Sequence, residues 1–96
     1  MKSIIFFSDY YLPGYRAGGP IKSISKLAQS LSTKRTIYIF TRNYDFSSNK
    51  EPYDSVEANT MTAYHNYNIL YSDHVSFVRI YKFIKEISPD YIYLNS

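Results

Sequence analysis

The chain contains no cysteine, which removes disulfides and thiolate metal sites from consideration. It contains no tryptophan, and its two histidines, His65 and His74, are too few and too separated to suggest a histidine-built metal centre. Long hydrophobic runs are missing as well. None approaches the ~18 residues of a membrane-spanning helix, and the apolar stretch after Met1 and Lys2 is too short for a secretory leader, so cytoplasmic residence is the expectation. Acidic residues are absent from one stretch in particular: between Tyr10 and Tyr44 the charged residues are Arg16, Lys22, Lys26, Lys34, Arg35 and Arg42, all basic. Glycine and proline are scarce, with 3 and 4 copies, and most of them fall in one short segment.

What remains is a chain of 96 residues, one domain at most, able to bury only roughly 60 to 65% of its unfolded surface. Its net charge of +3 and pI near 9.1 permit an anionic partner without demanding one, and are too modest for a nucleic-acid binder. Tyrosine is abundant, at 12 residues against 6 phenylalanines. The excess reads as a compositional bias and not as a carbohydrate platform.

Ser3 to Phe7 is a continuous apolar run of strand formers, suited to a central parallel strand covered on both faces. Ile21, Ile24, Leu27, Ala28 and Leu31 then recur at helical intervals, with Lys22, Ser23, Lys26, Gln29 and Ser30 opposite them. Pro20 fits the first helical position and Gly19 the cap before it. Thr36 to Thr41 reads as a second buried strand, completing a strand–helix–strand unit. Asn43 to Asn59 is polar and aperiodic, a long connection that is either functional or mobile. Asn68 to Tyr71 is a further strand, and Met61 to Tyr64 another short one, either in an edge hairpin or as a third parallel strand. Asp73 suits a helix cap, followed by an apolar stripe of Val75, Val78, Tyr81 and Ile84 widened by Phe77, Ile80 and Ile87. Ser88 and Pro89 end that helix, and Tyr91 to Leu94 is a last strand. The pattern implies an α/β, Rossmann-like fold: a mainly parallel sheet of about four strands with helices on its faces.

The segment that connects the first strand to its helix, DYYLPGYRAGGPIKSI from Asp9 to Ile24, carries most of the chemistry. Gly18 and Gly19 lack Cβ, permit positive φ and let a ligand approach the backbone in front of a helix N-terminus, which makes the loop an anion cradle. Neither common phosphate loop is present. Gly14, Gly18 and Gly19 lack the Gly-x-Gly-x-x-Gly spacing, and Pro20 and Ile21 stand where a P-loop needs lysine and a hydroxyl. Arg16 and Lys22 flank the loop and suit phosphate, with Tyr15 between them and the first strand. Asp9, delivered to the sheet's carboxyl edge, either orients an acceptor hydroxyl or bonds local amides. Tyr53 and Asp54 are further acceptor contacts or plain surface residues. Arg42, at the end of the second strand, fits a phosphate in an alternative reading: a non-catalytic or NADP-type nucleotide-binding module.

This strand–loop–helix, with IYIFTRNYD at Ile37 to Asp45, the pair Pro52 and Tyr53, and SPDYIYLNS at Ser88 to Ser96, resembles the start of retaining nucleotide-sugar glycosyltransferases of the two-domain GT-B kind, the group that includes bacterial capsule and O-antigen enzymes. The resemblance implies that residues 1–96 are a partial, acceptor-side N-terminal domain, inactive alone, of an enzyme that transfers a sugar from a nucleotide-diphosphate donor to a glycan or lipid-linked acceptor. It implies donor-phosphate contacts at Gly18 and Gly19, with anion or acceptor contacts at Asp9, Tyr15, Arg16 and Lys22. No metal and no cofactor beyond the donor substrate is implied, and catalytic groups are expected mostly beyond Ser96. Peripheral association with the inner face of a membrane and dimerisation through a sheet face left uncovered are further expectations.

Overall fold

A computed structural model describes residues 2–16, 18–46 and 48–95. The elements run β1 (Ser3–Ser8), α1 (Gly19–Leu31), β2 (Thr36–Arg42), β3 (Met61–Tyr64), β4 (Tyr67–Ser72), α2 (Phe77–Ile87) and β5 (Tyr91–Asn95). The five strands form one sheet in the order β3-β4-β2-β1-β5. β4, β2, β1 and β5 are mutually parallel, and β3 pairs antiparallel with β4. The sheet therefore has five strands where the sequence suggested about four, because Met61 to Tyr64 takes the edge-hairpin option, turning at His65 with a φ of 52°.

Period-two alternation sorts the strand residues onto two faces. Phe6, Ile37, Ile39, Ile69 and Tyr71 pack with Ile24 and Ala28 of α1, while Ile5, Phe40 and Leu70 pack with Phe83, Ile80 and Ile84 of α2. The helices thus lie on opposite faces, which explains why the central strands are apolar throughout. The α1 stripe buries Ile21, Ile24 and Ala28, with Leu27 and Leu31 half-buried beside them, as the spacing predicts. Its cap sits one residue earlier than expected: Gly18 is the N-cap with φ 74°, and Pro20 lies within the first turn.

The second helix departs further from its sequence reading. It starts at Phe77, and the cap is Ser76, whose Oγ accepts the amide of Arg79 at 3.2 Å. Asp73 lies outside the helix and instead binds the Arg79 guanidinium at 2.6 Å. With this start the face toward the sheet is Ile80, Phe83, Ile84 and Ile87, and Phe77, Val78 and Tyr81 are exposed. Val75 precedes the helix altogether. Removing the cap with Ser76→Ala should cost about 1 kcal/mol, which in a domain of this size lowers the thermal midpoint by about 4 to 8 °C. An unchanged melting curve would show that the Ser76 hydroxyl holds nothing.

Candidate functional site

The chain leaves β1 toward β2 by way of α1 on one face, and reaches β5 on the other side of β1 by way of α2 on the opposite face. The order of connections reverses beside β1, and in open parallel sheets the crevice outside the carboxyl ends at such a point is where ligands bind. Ser8, Asp9, Arg42 and Ser72 stand at this edge, the last two paired in register.

The loop leading from β1 into α1 is shaped by the chain's own groups. Asp45 is buried, 8% exposed, and its carboxylate accepts the amides of Tyr15 at 3.1 Å, Arg16 at 3.2 Å and Phe46 at 2.8 Å. The loop does gather backbone donors around an anion, but that anion is a side chain from the connection after β2. Gly18's amide donates to the Tyr15 carbonyl at 3.0 Å. Pro20 has no amide hydrogen, and Ile21 donates to the Gly18 carbonyl at 3.1 Å. The Gly19 amide, at the mouth of α1, has no acceptor among the described residues.

Tyrosines fasten the same loop from beneath. The Tyr11 and Tyr67 hydroxyls lie 2.6 Å apart, Tyr71 donates its hydroxyl to the Leu12 carbonyl, and Tyr53 donates to the Tyr11 carbonyl at 3.2 Å. Burial pushes the phenols of Tyr11, Tyr67 and Tyr71 upward. Tyr53 is pushed up to about 12 by burial, with the Asp45 carboxylate adding to it. All four stay protonated near neutral pH, so each keeps its hydrogen for bonding. These tyrosines bury apolar rings and satisfy loop carbonyls, a role that a compositional explanation of the tyrosine content had passed over.

The expected site residues are distributed over this edge and are not gathered in one place. Tyr15 and Arg16 line a hollow of about 490 Å3 together with Gly14, Asp45, Glu51 and Tyr53. Tyr15 is 75% exposed. Asp9 lies past the end of β1, forms an ion pair with Arg42 at 3.8 Å and borders an apolar cavity of about 500 Å3 between the sheet and α2. Gly18, Gly19 and Lys22 are exposed at the start of α1 and border neither space. Around Gly18 and Gly19 there is room: a Cβ built at either meets no heavy atom within 4 Å.

Two residues that sequence reasoning passed over hold the arrangement together. Asp45 is one. Gly14 is the other, since a Cβ there would overlap the Tyr53 hydroxyl and sit 2.8 Å from Asp45 Oδ1. The only signal for either was position: Gly14 lies in the loop and Asp45 follows a strand end, where side chains are aimed at the sheet's edge.

At the ends of β2 and β4 lies a smaller, polar cavity of about 320 Å3, bordered by Arg42, Lys50, Ser72, Asp73 and His74 among others. Arg42 is held between aromatic rings, with its guanidinium 5.8 Å from the Tyr10 ring and 5.9 Å from that of Tyr44. Its Nη1 donates to the Tyr44 hydroxyl at 3.1 Å. Asp54, paired with Tyr53 in the sequence reading, is exposed and borders none of these spaces.

Fold and edge define an α/β protein with a five-stranded, mostly parallel sheet and two helices, whose polar groups collect at the carboxyl ends of the strands. Compared with protein-family models, with curated proteins and with solved structures, the chain gives no match in any of the three. Among the described residues no helix is long and apolar enough to cross a membrane.

Proposed function

We propose that the chain is the acceptor-side, Rossmann-like portion of a GT-B glycosyltransferase that moves a sugar from a nucleotide-diphosphate donor to a glycan or lipid-linked acceptor. The observation that carries this reading is the bend at Gly18 and Gly19. It is exposed, takes a φ of 74° at Gly18, has open space where side chains would project, and leads directly into a helix of 13 residues. A diphosphate resting there meets the Gly19 amide and the positive end of the helix dipole, both of which stabilise the charge that develops as the sugar departs.

The reaction so assigned joins an acceptor oxygen to the anomeric carbon and breaks the bond from that carbon to the diphosphate. The departing phosphate takes up the acceptor's proton. Asp9 supplies the edge against which an acceptor hydroxyl is oriented, and Lys22 adds positive charge beside the helix mouth. In this reading the remaining donor contacts come from a second domain.

Titrating the 15N-labelled chain with UDP and GDP tests the assignment. Amide shifts at Gly19, Ile21 and Lys22 are expected with saturation in the millimolar range, about 4 kcal/mol of binding, and Gly19→Val should abolish them. Unmoved signals at these positions up to ~10 mM nucleotide, or equal response in the valine variant, would remove the bend from the donor site.

A further inference from the structure

The polar cavity at the ends of β2 and β4 is separate from the Gly18 and Gly19 bend and draws on different segments. Arg42 closes β2, Lys50 comes from the connection after it, and Ser72 and His74 follow β4. Three nitrogen-bearing side chains of basic character therefore face one small space. Its one bordering carboxylate, Asp73, is drawn to Arg79 at 2.6 Å, and that contact, with Asn59 and His74 contributing, holds its pKa below the usual carboxylate range, so it stays ionised and spoken for. Lys50 has no ion-pair partner among the described residues. Arg42 reaches Asp9 only at 3.8 Å, and its Nε is buried with no hydrogen-bond partner among the described residues. The part of Arg42 left exposed borders the cavity beside Lys50 and His74, so an anionic oxygen there meets positive charge from more than one segment.

We infer that this cavity is a phosphate-monoester site, with Arg42, Lys50 and His74 as the binding side chains. A phosphate offers three terminal oxygens at tetrahedral angles, matching donors that arrive from three segments, whereas a carboxylate offers two oxygens in a plane. Tyr44 is half-buried at the same border. The inference uses none of the residues of the Gly18 and Gly19 bend and stands whether or not the chain takes part in sugar transfer.

The test is amide-resolved titration of the full chain with glucose 1-phosphate, with glucuronate as the carboxylate control, alongside sedimentation with phosphatidylcholine vesicles doped with phosphatidic acid. Glucose 1-phosphate should shift Asn43, Tyr44 and Ser72 to Val75, leaving Gly19 unmoved. The exposed pair of changes Lys50→Gln and His74→Gln should weaken binding about tenfold, equivalent to ~1.4 kcal/mol, with the thermal midpoint unchanged. A response to the soluble sugar phosphate without sedimentation identifies a soluble phosphate. Sedimentation that the double variant loses identifies a lipid headgroup. Absence of both responses, equal affinity for glucuronate, or undiminished binding by the double variant overturns the assignment.

Discussion

Asp45→Ala is expected to destabilise the chain by about 2 to 4 kcal/mol, read as a fall in the urea midpoint at unchanged slope. The carboxylate is buried and accepts amides from Tyr15, Arg16 and Phe46. Hydrogen bonds to a charged acceptor contribute about 1.5 to 3 kcal/mol each, and the sum is limited because the freed loop can partly rehydrate. Small domains hold only about 5 to 15 kcal/mol in total, so the loss is a large share of the whole. Hydrogen exchange should quicken first at Tyr15, Arg16 and Phe46. Asn is a poor replacement, because both carboxylate oxygens are in use and an amide group must turn its NH2 toward a donor in either orientation. Asp45→Asn should therefore recover less than half of the loss. A midpoint and exchange pattern like those of the native chain would mean that the loop holds its shape without this carboxylate.

Gly14→Ala is the second large effect, at about 3 kcal/mol. The added methyl overlaps the Tyr53 hydroxyl and comes within 2.9 Å of Asp45 Cγ, so Tyr53 must give up its bond to the Tyr11 carbonyl and Asp45 must shift from the loop amides. The double change Gly14→Ala with Tyr53→Phe removes the nearest clashing atom and should cost less than the two single losses added together. Strict additivity of the two would count against this contact as the cause. The neighbouring glycines should behave differently. Gly19→Ala meets open space and is expected to be neutral or slightly stabilising, while Gly18→Ala loses about 2 kcal/mol to backbone strain alone, since φ 74° with ψ −125° lies outside the left-handed helical region.

The legible parts of the fold were those specified by neighbours in sequence. The apolar runs of β1 and β2 and the 3.6-residue spacing from Ile21 to Leu31 are local signals, and they placed those elements to within a residue or so. The second helix was harder, because Asp73 and Ser76 are both good caps by type. The choice between them was made by Arg79, which binds the Asp73 side chain from within the helix while its amide takes the Ser76 hydroxyl. Once the start moved, the buried face moved with it, from Val78 and Tyr81 to Ile80 and Phe83.

At the site the limit was distance along the chain. Asp45 meets its loop partners across about thirty positions, and nothing in the polar stretch from Asn43 to Asn59 distinguishes that carboxylate from the exposed Asp54. Gly14 was measured against phosphate-loop spacings, whereas its requirement comes from Tyr53 and Asp45 pressing on it from a distant segment. Asp9, Tyr15, Arg16, Gly18, Gly19 and Lys22 all lie on the connection from β1 or in the first turn of α1. Whether they converge depended on how that connection is folded, and it sets Asp9 beside Arg42, Tyr15 and Arg16 over Asp45, and the glycine pair apart from both.

The carboxylate beneath the loop also sorts what can enter the hollow above it. With Asp45 and Glu51 on its border against the single cation Arg16, that space disfavours a further negative charge through simple like-charge repulsion. If the proposed phosphate sites hold, phosphates would be left to the cationic side of the sheet edge and the hollow beside Tyr15 to uncharged, hydroxyl-rich groups, so that one rim would separate two kinds of guest by sign.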